Sequence, residues 1–277
     1  MKKILVTTDF SQKSKAGLRF AIQLASQNNH ALTFFHSYHV MRPTAWSDKV
    51  FESFENSESA KIKRKLCRFI DSVYKSMGVT PINIECVIKN SFVTDSNIMQ
   101  YAAQNEFNFV CISRRGNSKH QKIFGTNTSN LIDKSEVPII AVPHTYRRNQ
   151  ITKVLYASDL SDVEKEVKKV IDFAKPLKAE IELLHFKVPS DITGDPKLIQ
   201  KAIGKFSDHN IKLHFEKLDF AQTLITNLEK AIKKSRPSVV IMFTEQNRSF
   251  FKKLFLSSNS AEYSFQAKVP VLIFPKV

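Results

Sequence analysis

An internal repeat constrains the fold of this sequence more than any other feature. Segment 3–11, a lysine followed by an apolar run and Asp-x-Ser, recurs at 153–161, an offset of 150 residues. Two further segments recur in the same order, 32–37 at 181–186 and 137–143 at 269–275. Ordered self-similarity of this kind indicates two copies of one structural unit. The last offset falls to 132, so the second copy is the shorter one.

Each copy alternates apolar runs with amphipathic stretches. The runs lie at 3–8, 31–37, 82–88, 107–113 and 138–142, and again at 153–158, 180–186, 211–218, 238–243 and 269–274. Strands that are apolar throughout are typical of a parallel sheet covered on both faces. We therefore predict an α/β fold of two tandem five-stranded parallel-sheet domains, residues 1–146 and 151–277, with helices on both faces. A helix is expected from Ser11 to Asn28.

A long insert, 41–77, follows the second strand of the first copy. Its charged part, 58–70, is predicted to be a helix because apolar residues recur at helical spacing from Ile62 to Val73. The basic residues beside this stripe have two interpretations. We favour a solvated outer face over a contact with nucleic acid.

Charge and composition limit the classes of partner. The 42 Lys+Arg against 26 Asp+Glu give a formal net charge of +16, which attracts polyanions. The basic residues are spread along the chain and no RNA-binding motif is present, so we do not expect a dedicated nucleic-acid function. No apolar run is long enough to cross a membrane, and the first residues are too polar for a secretory signal. These features predict a cytoplasmic protein without a membrane partner.

The three cysteines, Cys67, Cys86 and Cys111, form no CxxC motif or Cys/His cluster. This spacing predicts neither a disulfide framework nor a structural metal site. Cys86 and Cys111 lie in apolar runs and are interpreted as small core residues.

Three segments of the first copy end at the same edge of the predicted sheet. Asp9 and Ser11 follow the first strand, His36 and Ser37 end the second, and stretch 113–128 follows the fourth. Ligands of open α/β sheets bind at this edge. His36 and His185 occupy equivalent strand ends, which favours a structural hydrogen bond in both copies over a ligand role.

Stretch 113–128 holds two of the six glycines of the chain, Gly116 and Gly125. Thr126 then opens a helical run, where free N–H groups, a hydroxyl and the helix dipole form an anion site. Positive side chains for a phosphate chain follow the same strand: Arg114, Arg115, Lys119 and Lys122. A glycine turn with Thr126 as an ordinary N-cap remains the alternative.

Together, the Asp-x-Ser, the strand-end histidine, the glycine loop and the final Val-Pro strand resemble those of a universal stress protein. The resemblance covers both copies and implies a tandem member with the adenine nucleotide α-hydrolase-like fold. ATP-binding members carry Gly-x2-Gly-x9-Gly-(Ser/Thr) after the fourth strand. Here Ser113 replaces the first glycine, and the spacer from Gly116 to Gly125 is eight residues.

The resemblance also implies roles for particular residues. Asp9 would face the adenosine, and the backbone around Ser37 would meet the adenine edge. The phosphates would lie against the loop residues Ser113, Arg115, Gly116, Gly125, Thr126 and Thr128. An equally weighted role for Asp9 is to cap the first helix together with Ser11.

In the second copy the corresponding segment, 244–258, has lost every glycine. It carries Glu245, which would repel phosphate, and bulky side chains such as Phe250 and Phe255. We therefore expect this site to be lost, Asp159 to act as a cap, and the second domain to serve packing or partner binding.

The expected function is a cytoplasmic stress-response protein that binds ATP or another adenine nucleotide, with or without Mg²⁺, and regulates a protein partner. P-loop, zinc-protease and serine-hydrolase motifs are absent, and slow ATP hydrolysis stays open with no base to name. Two alternatives stay open, a nucleotide-free interaction scaffold and a weak polyanion binder. The resemblance further implies pairing through the final strands, in a homodimer or within one chain, which would cover the edge at 269–274.

Overall fold

Ten strands form one continuous sheet in the computed structural model, which describes residues 1–82, 84–114, 126–160, 162–187, 204–206, 209–244 and 268–275. The strands are β1 Lys3–Thr7, β2 Ala31–Tyr38, β3 Ile84–Asn90, β4 Phe109–Arg114, β5 Ile139–Pro143, β6 Lys153–Ala157, β7 Glu180–Lys187, β8 Lys212–Lys217, β9 Val239–Phe243 and β10 Val271–Phe274. The α-helices that lie wholly within the described residues are α1 Lys15–Asn28, α2 Asp48–Met77, α3 Thr94–Gln104, α4 Thr126–Lys134, α5 Val163–Ala174 and α6 Leu224–Ser235.

The strand order is β3-β2-β1-β4-β5-β10-β9-β6-β7-β8. All pairs within β1–β5 and within β6–β10 are parallel, which confirms the predicted fold class. β5 and β10 pair antiparallel, with Ile140 opposite Leu272, so the two five-stranded halves form a single sheet. The edge at 269–274 is therefore covered within the chain, and β3 and β8 are the outer strands.

The two faces of the sheet bury separate cores. One core is formed with α1, α2 and α5, and contains Phe20, Leu66 and Val167. The other is formed with α3, α4 and α6, and contains Ile98 and Leu228. Helices therefore cover both faces, as the apolar strands require.

The stretch after β5 is anchored to the first half. Tyr146 packs edge-on against Phe20, with ring centroids 5.5 Å apart, and Gln27 exchanges hydrogen bonds with the Ile151 backbone. The division into domains at 1–146 and 151–277 stays a prediction.

Helix α2 is longer than the predicted charged helix at 58–70. Ser47 caps its start by accepting from the Val50 N–H, and Gly78, with φ of 62°, ends it. Leu66, Ile70 and Val73 are buried, as their spacing predicts. The basic residues Lys63, Arg64, Lys65 and Arg68 are exposed, and the preference for a solvated outer face stays a prediction.

The two cysteines that were expected in the core differ in burial. Cys111 is buried, which confirms its interpretation as a core residue. Cys86 is partly exposed and packs against the core from outside, so its interpretation as a fully buried core residue is wrong.

Candidate functional site

A polar cavity lies at the carboxyl ends of β1, β2 and β4. The order β2-β1-β4 places it where the chain connections reverse direction, the usual ligand position in such sheets. Its volume is about 180 Å³. Asp9 and Lys13 line it, together with the hydroxyl residues Thr7, Thr8, Ser11, Ser14, Ser37, Thr94 and Ser113.

Asp9 lies in a tight turn that connects β1 to α1. The Ser11 N–H donates to Asp9 Oδ1 at 2.9 Å, and the Phe10 N–H donates to Thr8 Oγ1 at 3.1 Å. The helix expected from Ser11 begins at Lys15, and Ser14 holds the N-cap position without a side-chain cap bond. Ser11 Oγ in turn accepts from the Ser14 N–H at 3.1 Å. Asp9 and Ser11 therefore cap the turn that leads into α1, and not the first residue of the helix itself.

His36 has the structural role that its position predicts. Its Nδ1–H donates to the Thr8 carbonyl at 2.7 Å, and His185 makes the same bond to the Ser158 carbonyl at 3.0 Å. Burial lowers the pKa of His36, and the backbone hydrogen bond offsets this only in part. Each histidine therefore fixes the end of the neighbouring strand.

The Ser37 backbone faces the cavity beside the end of β1. The Phe35 carbonyl accepts from the Thr8 N–H on the β1 side of the strand. The Tyr38 carbonyl accepts from the Ser91 N–H on the β3 side. Because peptide groups alternate between the two sides of a strand, Ser37 directs its N–H and C=O towards β1, beyond the last residue of that strand. The Ser37 hydroxyl accepts from Asn97 Nδ2 at 2.8 Å.

Ser113 clamps the first turn of α1. Its hydroxyl accepts from the Gly17 N–H at 2.6 Å and donates to the Ser14 carbonyl at 2.9 Å. A Cβ atom at Gly17 would lie 2.8 Å from Ser113 Oγ, so the approach requires glycine. The hydroxyl thereby satisfies a helix N–H group that has no partner within the helix. Sequence reasoning missed this contact, although a glycine inside an amphipathic helix signals a close approach.

The remaining predicted site residues follow β4. Arg115, Gly116 and Gly125 lie outside the described residues, as does the Thr126 side chain. Thr126 begins α4, and Thr128, in the first turn of that helix, is 4% exposed. The role of all these residues in phosphate binding stays a prediction.

In the second half, apolar side chains replace the contact between Ser113 and Gly17. In the strand register Cys111 pairs with Val6 and Ile241 pairs with Tyr156, so Phe243, and not Thr244, stands at the position of Ser113. Val167 replaces Gly17. The Phe243 ring stacks on Phe274 at 5.1 Å and meets Tyr156 edge-on at 5.8 Å.

A buried polar pair lies beside these rings. The Tyr156 hydroxyl donates to Glu166, and it shares a hydrogen bond of 2.8 Å with Ser158 Oγ. Burial and the Glu166 carboxylate raise the pKa of Tyr156 well above its ordinary value. Tyr156 and Glu166 replace Val6 and Ala16 of the first half.

Comparison with known families identifies the chain. The model of the universal stress protein family matches residues 1–143. The chain belongs to this family. No curated protein sequence matches the chain closely enough to count as a relative.

Solved structures extend the likeness to the second half. A universal stress protein from Archaeoglobus fulgidus is 15% identical, with a TM-score of 0.72, and the match covers 99% of this chain and 98% of that chain. A universal stress protein in complex with cAMP is 17% identical over 51% of this chain and 96% of its own, with a TM-score of 0.38. An Arabidopsis thaliana protein of the universal stress protein family with AMP bound is 17% identical, with a TM-score of 0.34. That match covers 52% of this chain and 92% of that chain.

Two features are absent from the described residues, a membrane-spanning helix and a cluster of metal ligands. None of the helices in this part of the chain is long and apolar enough to span a bilayer. Likewise, no three His, Cys, Asp or Glu side chains among these residues are grouped so that they could hold a metal ion.

Proposed function

We propose that the first half binds an adenine nucleotide, ATP or a related ligand with or without Mg²⁺, in the cavity beside Asp9 and Ser37. The observation that carries this proposal is the position of the Ser37 backbone. Its N–H and C=O face a cavity at the point where the chain connections of the sheet reverse direction. A peptide N–H and C=O on one edge match the acceptor and donor edge of adenine. Asp9, fixed by its turn, is within the same lining and suits a ribose hydroxyl.

The phosphate end is proposed to lie towards the start of α4. The N-terminus of this helix follows Gly125, and helix N-termini favour anions. Lys13 adds a positive side chain to the cavity lining. This arrangement supports a ligand with a hydrogen-bonding base at one end and negative charge at the other.

In this proposal the protein acts in the cytoplasm by regulating a protein partner in a stress response, and the ligand changes that interaction. The second half, where Phe243 fills the equivalent position, acts as structural support or as the partner surface. Hydrolysis is not part of the proposal.

Calorimetric titration of the nucleotide-stripped protein with Mg-ATP, AMP and cAMP tests the proposal. AMP and cAMP are included because they are the ligands of the two solved family members described above. Asp9→Asn keeps an acceptor for the Ser11 N–H but removes the charge, so we expect binding at least ~10-fold weaker from the loss of a hydrogen bond to a charged group. Gly125→Asp should abolish binding by placing negative charge at the phosphate end.

Asp159→Asn is the matched control, because Asp159 occupies the equivalent turn of the second half. It should leave the affinity unchanged. Absence of both heat and a thermal shift at millimolar nucleotide would rule out the proposal, and equal losses in the two Asp variants would place the ligand elsewhere.

A nucleotide-free interaction scaffold is the second candidate, and two observations favour it. The Ser113 hydroxyl takes up space where the family has glycine, and the cavity of about 180 Å³ is smaller than the ~300–1,000 Å³ of ordinary ligand sites. The scaffold predicts no nucleotide binding together with retention of a protein partner by both Asp variants.

A further inference from the structure

Helix α2 extends well beyond the core that it covers. Its buried residues all lie in its second half, at Leu66, Ile70, Val73, Tyr74 and Met77. None of the residues 48–65 is buried, although a helical segment of that length measures about 27 Å. Most helices of folded proteins are stabilised by packing an apolar face. The first half of α2 therefore lacks the contact that usually stabilises a helix.

Exposed apolar side chains gather around the start of this segment. Trp46 packs edge-on against Phe54, with ring centroids 5.0 Å apart. Asn90 Nδ2 donates to Glu55 Oε1 at 2.6 Å, which brings the residues after β3 beside α2. Five of the eight large apolar side chains that are exposed in the described part of the chain lie here: Met41, Val50, Phe54, Phe92 and Val93. We call these five the apolar corner. Exposed apolar patches of this kind typically mark a contact with another protein.

Charge is divided between the two ends of α2. Its acidic half, residues 48–60, carries four acidic side chains and one lysine, whereas its basic half, 61–77, carries six basic side chains and one aspartate. Among the ion pairs of the described residues, the basic half contributes only Lys61, which meets Glu58 at 2.7 Å. The exposed side chains of Lys63, Arg64, Lys65 and Arg68 are therefore available to a negatively charged surface.

We propose that α2 is the interface of a homodimer in which two copies of the helix lie antiparallel about a two-fold axis. Contacts in such a dimer are reciprocal, so each acidic half faces the basic half of the second copy. A parallel pair would place acid against acid and base against base. The proposal is independent of nucleotide binding.

The occupant is a second copy because of charge complementarity. Apolar side chains with an acidic rim fit a basic helix that also presents apolar side chains. The basic half of α2 is such a helix, since Ile62 and Phe69 are partly exposed among its lysines and arginines. In the dimer, protein and not solvent covers this face of α2.

One register of the two helices matches both the charges and the apolar corner. With the two-fold axis between Glu58 and Lys61, Glu58 lies opposite Lys61 of the second copy. The pair already formed within each helix then becomes part of a network of four alternating charges. Phe54 lies opposite Lys65 of the second copy, whose alkyl chain can cover the ring.

Sedimentation velocity of the full chain, treated with nuclease and measured from ~1 to ~100 μM, tests the proposal. We expect the wild type to form a dimer. Phe54→Ser should weaken it at least ~10-fold, because large aromatic side chains carry much of the binding energy of an interface. Phe220→Ser is the matched control, since that ring is also exposed but lies in the second half of the chain, away from α2.

Charge reversal in each half of α2 tests the antiparallel arrangement. The variant Arg64→Glu/Arg68→Glu has two acidic halves, and the variant Glu52→Lys/Glu58→Lys has two basic halves. Each variant alone should be monomeric, because like charges face each other across the axis. An equimolar mixture of the two should restore the dimer, since every acidic half then meets a basic one.

The wild-type result decides the proposal even if a variant fails to fold. A wild type that sediments as a monomer at ~100 μM would overturn it. So would a dimer that Phe54→Ser leaves unchanged, since another surface would then form the contact. A mixture of the charge-reversed variants that stays monomeric would contradict the antiparallel pairing. Association that disappears with nuclease treatment would show that nucleic acid bridges the chains.

Discussion

The two halves share a strand order and a turn but differ in what fills the space after their first strands. The side-chain hydroxyls of Thr8 and Ser158 each accept from the backbone N–H two residues later. Those later residues, Phe10 and Leu160, each adopt a positive φ, of 62° and 68°. Behind this shared turn, the first half places the Ser113 hydroxyl against Gly17, whereas the second places the Phe243 ring beside Tyr156. The turn is therefore common to both halves, while the side chains next to it are polar in the first half and aromatic in the second.

Under the proposed function, this difference explains how one copy of a repeat could keep its structure without keeping the site. A ring at the position of Phe243 adds buried apolar area, which stabilises the sheet. The same ring stands where the first half has the Ser113 hydroxyl. If the first half binds a ligand as proposed, stability and binding compete at this strand position.

The largest effect is expected from truncating the ring that distinguishes the second half. Phe243→Ala removes a side chain that is 4% exposed and packs on Phe274, so we expect a loss of about 3–5 kcal/mol in the free energy of unfolding. Urea denaturation measures it. Phe220→Ala, at a ring that is 67% exposed, is the control and should change stability by less than ~0.5 kcal/mol. Similar losses in both variants would contradict this account of the second half.

A smaller effect is expected from adding one methyl group at Gly17, where α1 meets Ser113. Gly17→Ala places Cβ 2.8 Å from Ser113 Oγ and should destabilise the protein by about 1–3 kcal/mol. Gly204→Ala is the control, because a Cβ there meets nothing within 4 Å and should be neutral or stabilising.

A double variant sharpens this test. Ser113→Gly removes the nearest obstacle, so Gly17→Ala combined with Ser113→Gly should cost less than the sum of the single changes. Additive losses would show that the Ser113 hydroxyl does not cause the glycine requirement.

The last expected effect appears only as the pH falls below about 4.5, and it concerns a carboxylate of the second half that has no counterpart in the first. Glu182 replaces Thr33. Burial on its own would raise the pKa of Glu182, but hydrogen bonds from Lys153, Ser235 and His214 outweigh it and lower the pKa to about 2 from 4.5. The stability that this group contributes is complete above pH 4.5 and is lost as the pH falls towards 2.

Denaturation at several pH values measures this contribution. We expect the free energy of unfolding of the wild type to fall between pH 4.5 and 2 more steeply than that of Glu182→Gln. Identical slopes would show that the ionised Glu182 is not preferentially stabilised in the folded protein.

Most of the fold could be predicted from the sequence because each strand is a nearly continuous apolar run. Every predicted strand is present, with ends shifted by at most two residues. The shared histidine bonds were also predictable, since His36 and His185 occupy equivalent positions in the repeat. The first helix starts later than its pattern suggests because the bonds of Asp9 hold residues 9–11 in a turn.

The site was less predictable because its contacts join distant residues. Ser113 and Gly17 are 96 residues apart, and no local pattern shows that they meet. The glycine spacing pairs Ser113 with Thr244, but the strand register shifts the match to Phe243. The covered edge at 269–274 was expected from the family resemblance, which implies pairing through the final strands and so protects an apolar edge.

The β5–β10 pairing also has a consequence for synthesis on the ribosome. Ile139 and Ile273 are partners in the sheet, yet nearly half of the chain lies between them. At ~5–20 residues per second, the β5 edge of the nascent first half waits on the order of ten seconds for β10. During that interval a buried apolar strand of the finished protein is an open template for other chains. Fusion of the two halves thus protects the mature protein from edge-to-edge aggregation, and concentrates the risk in the time before translation ends.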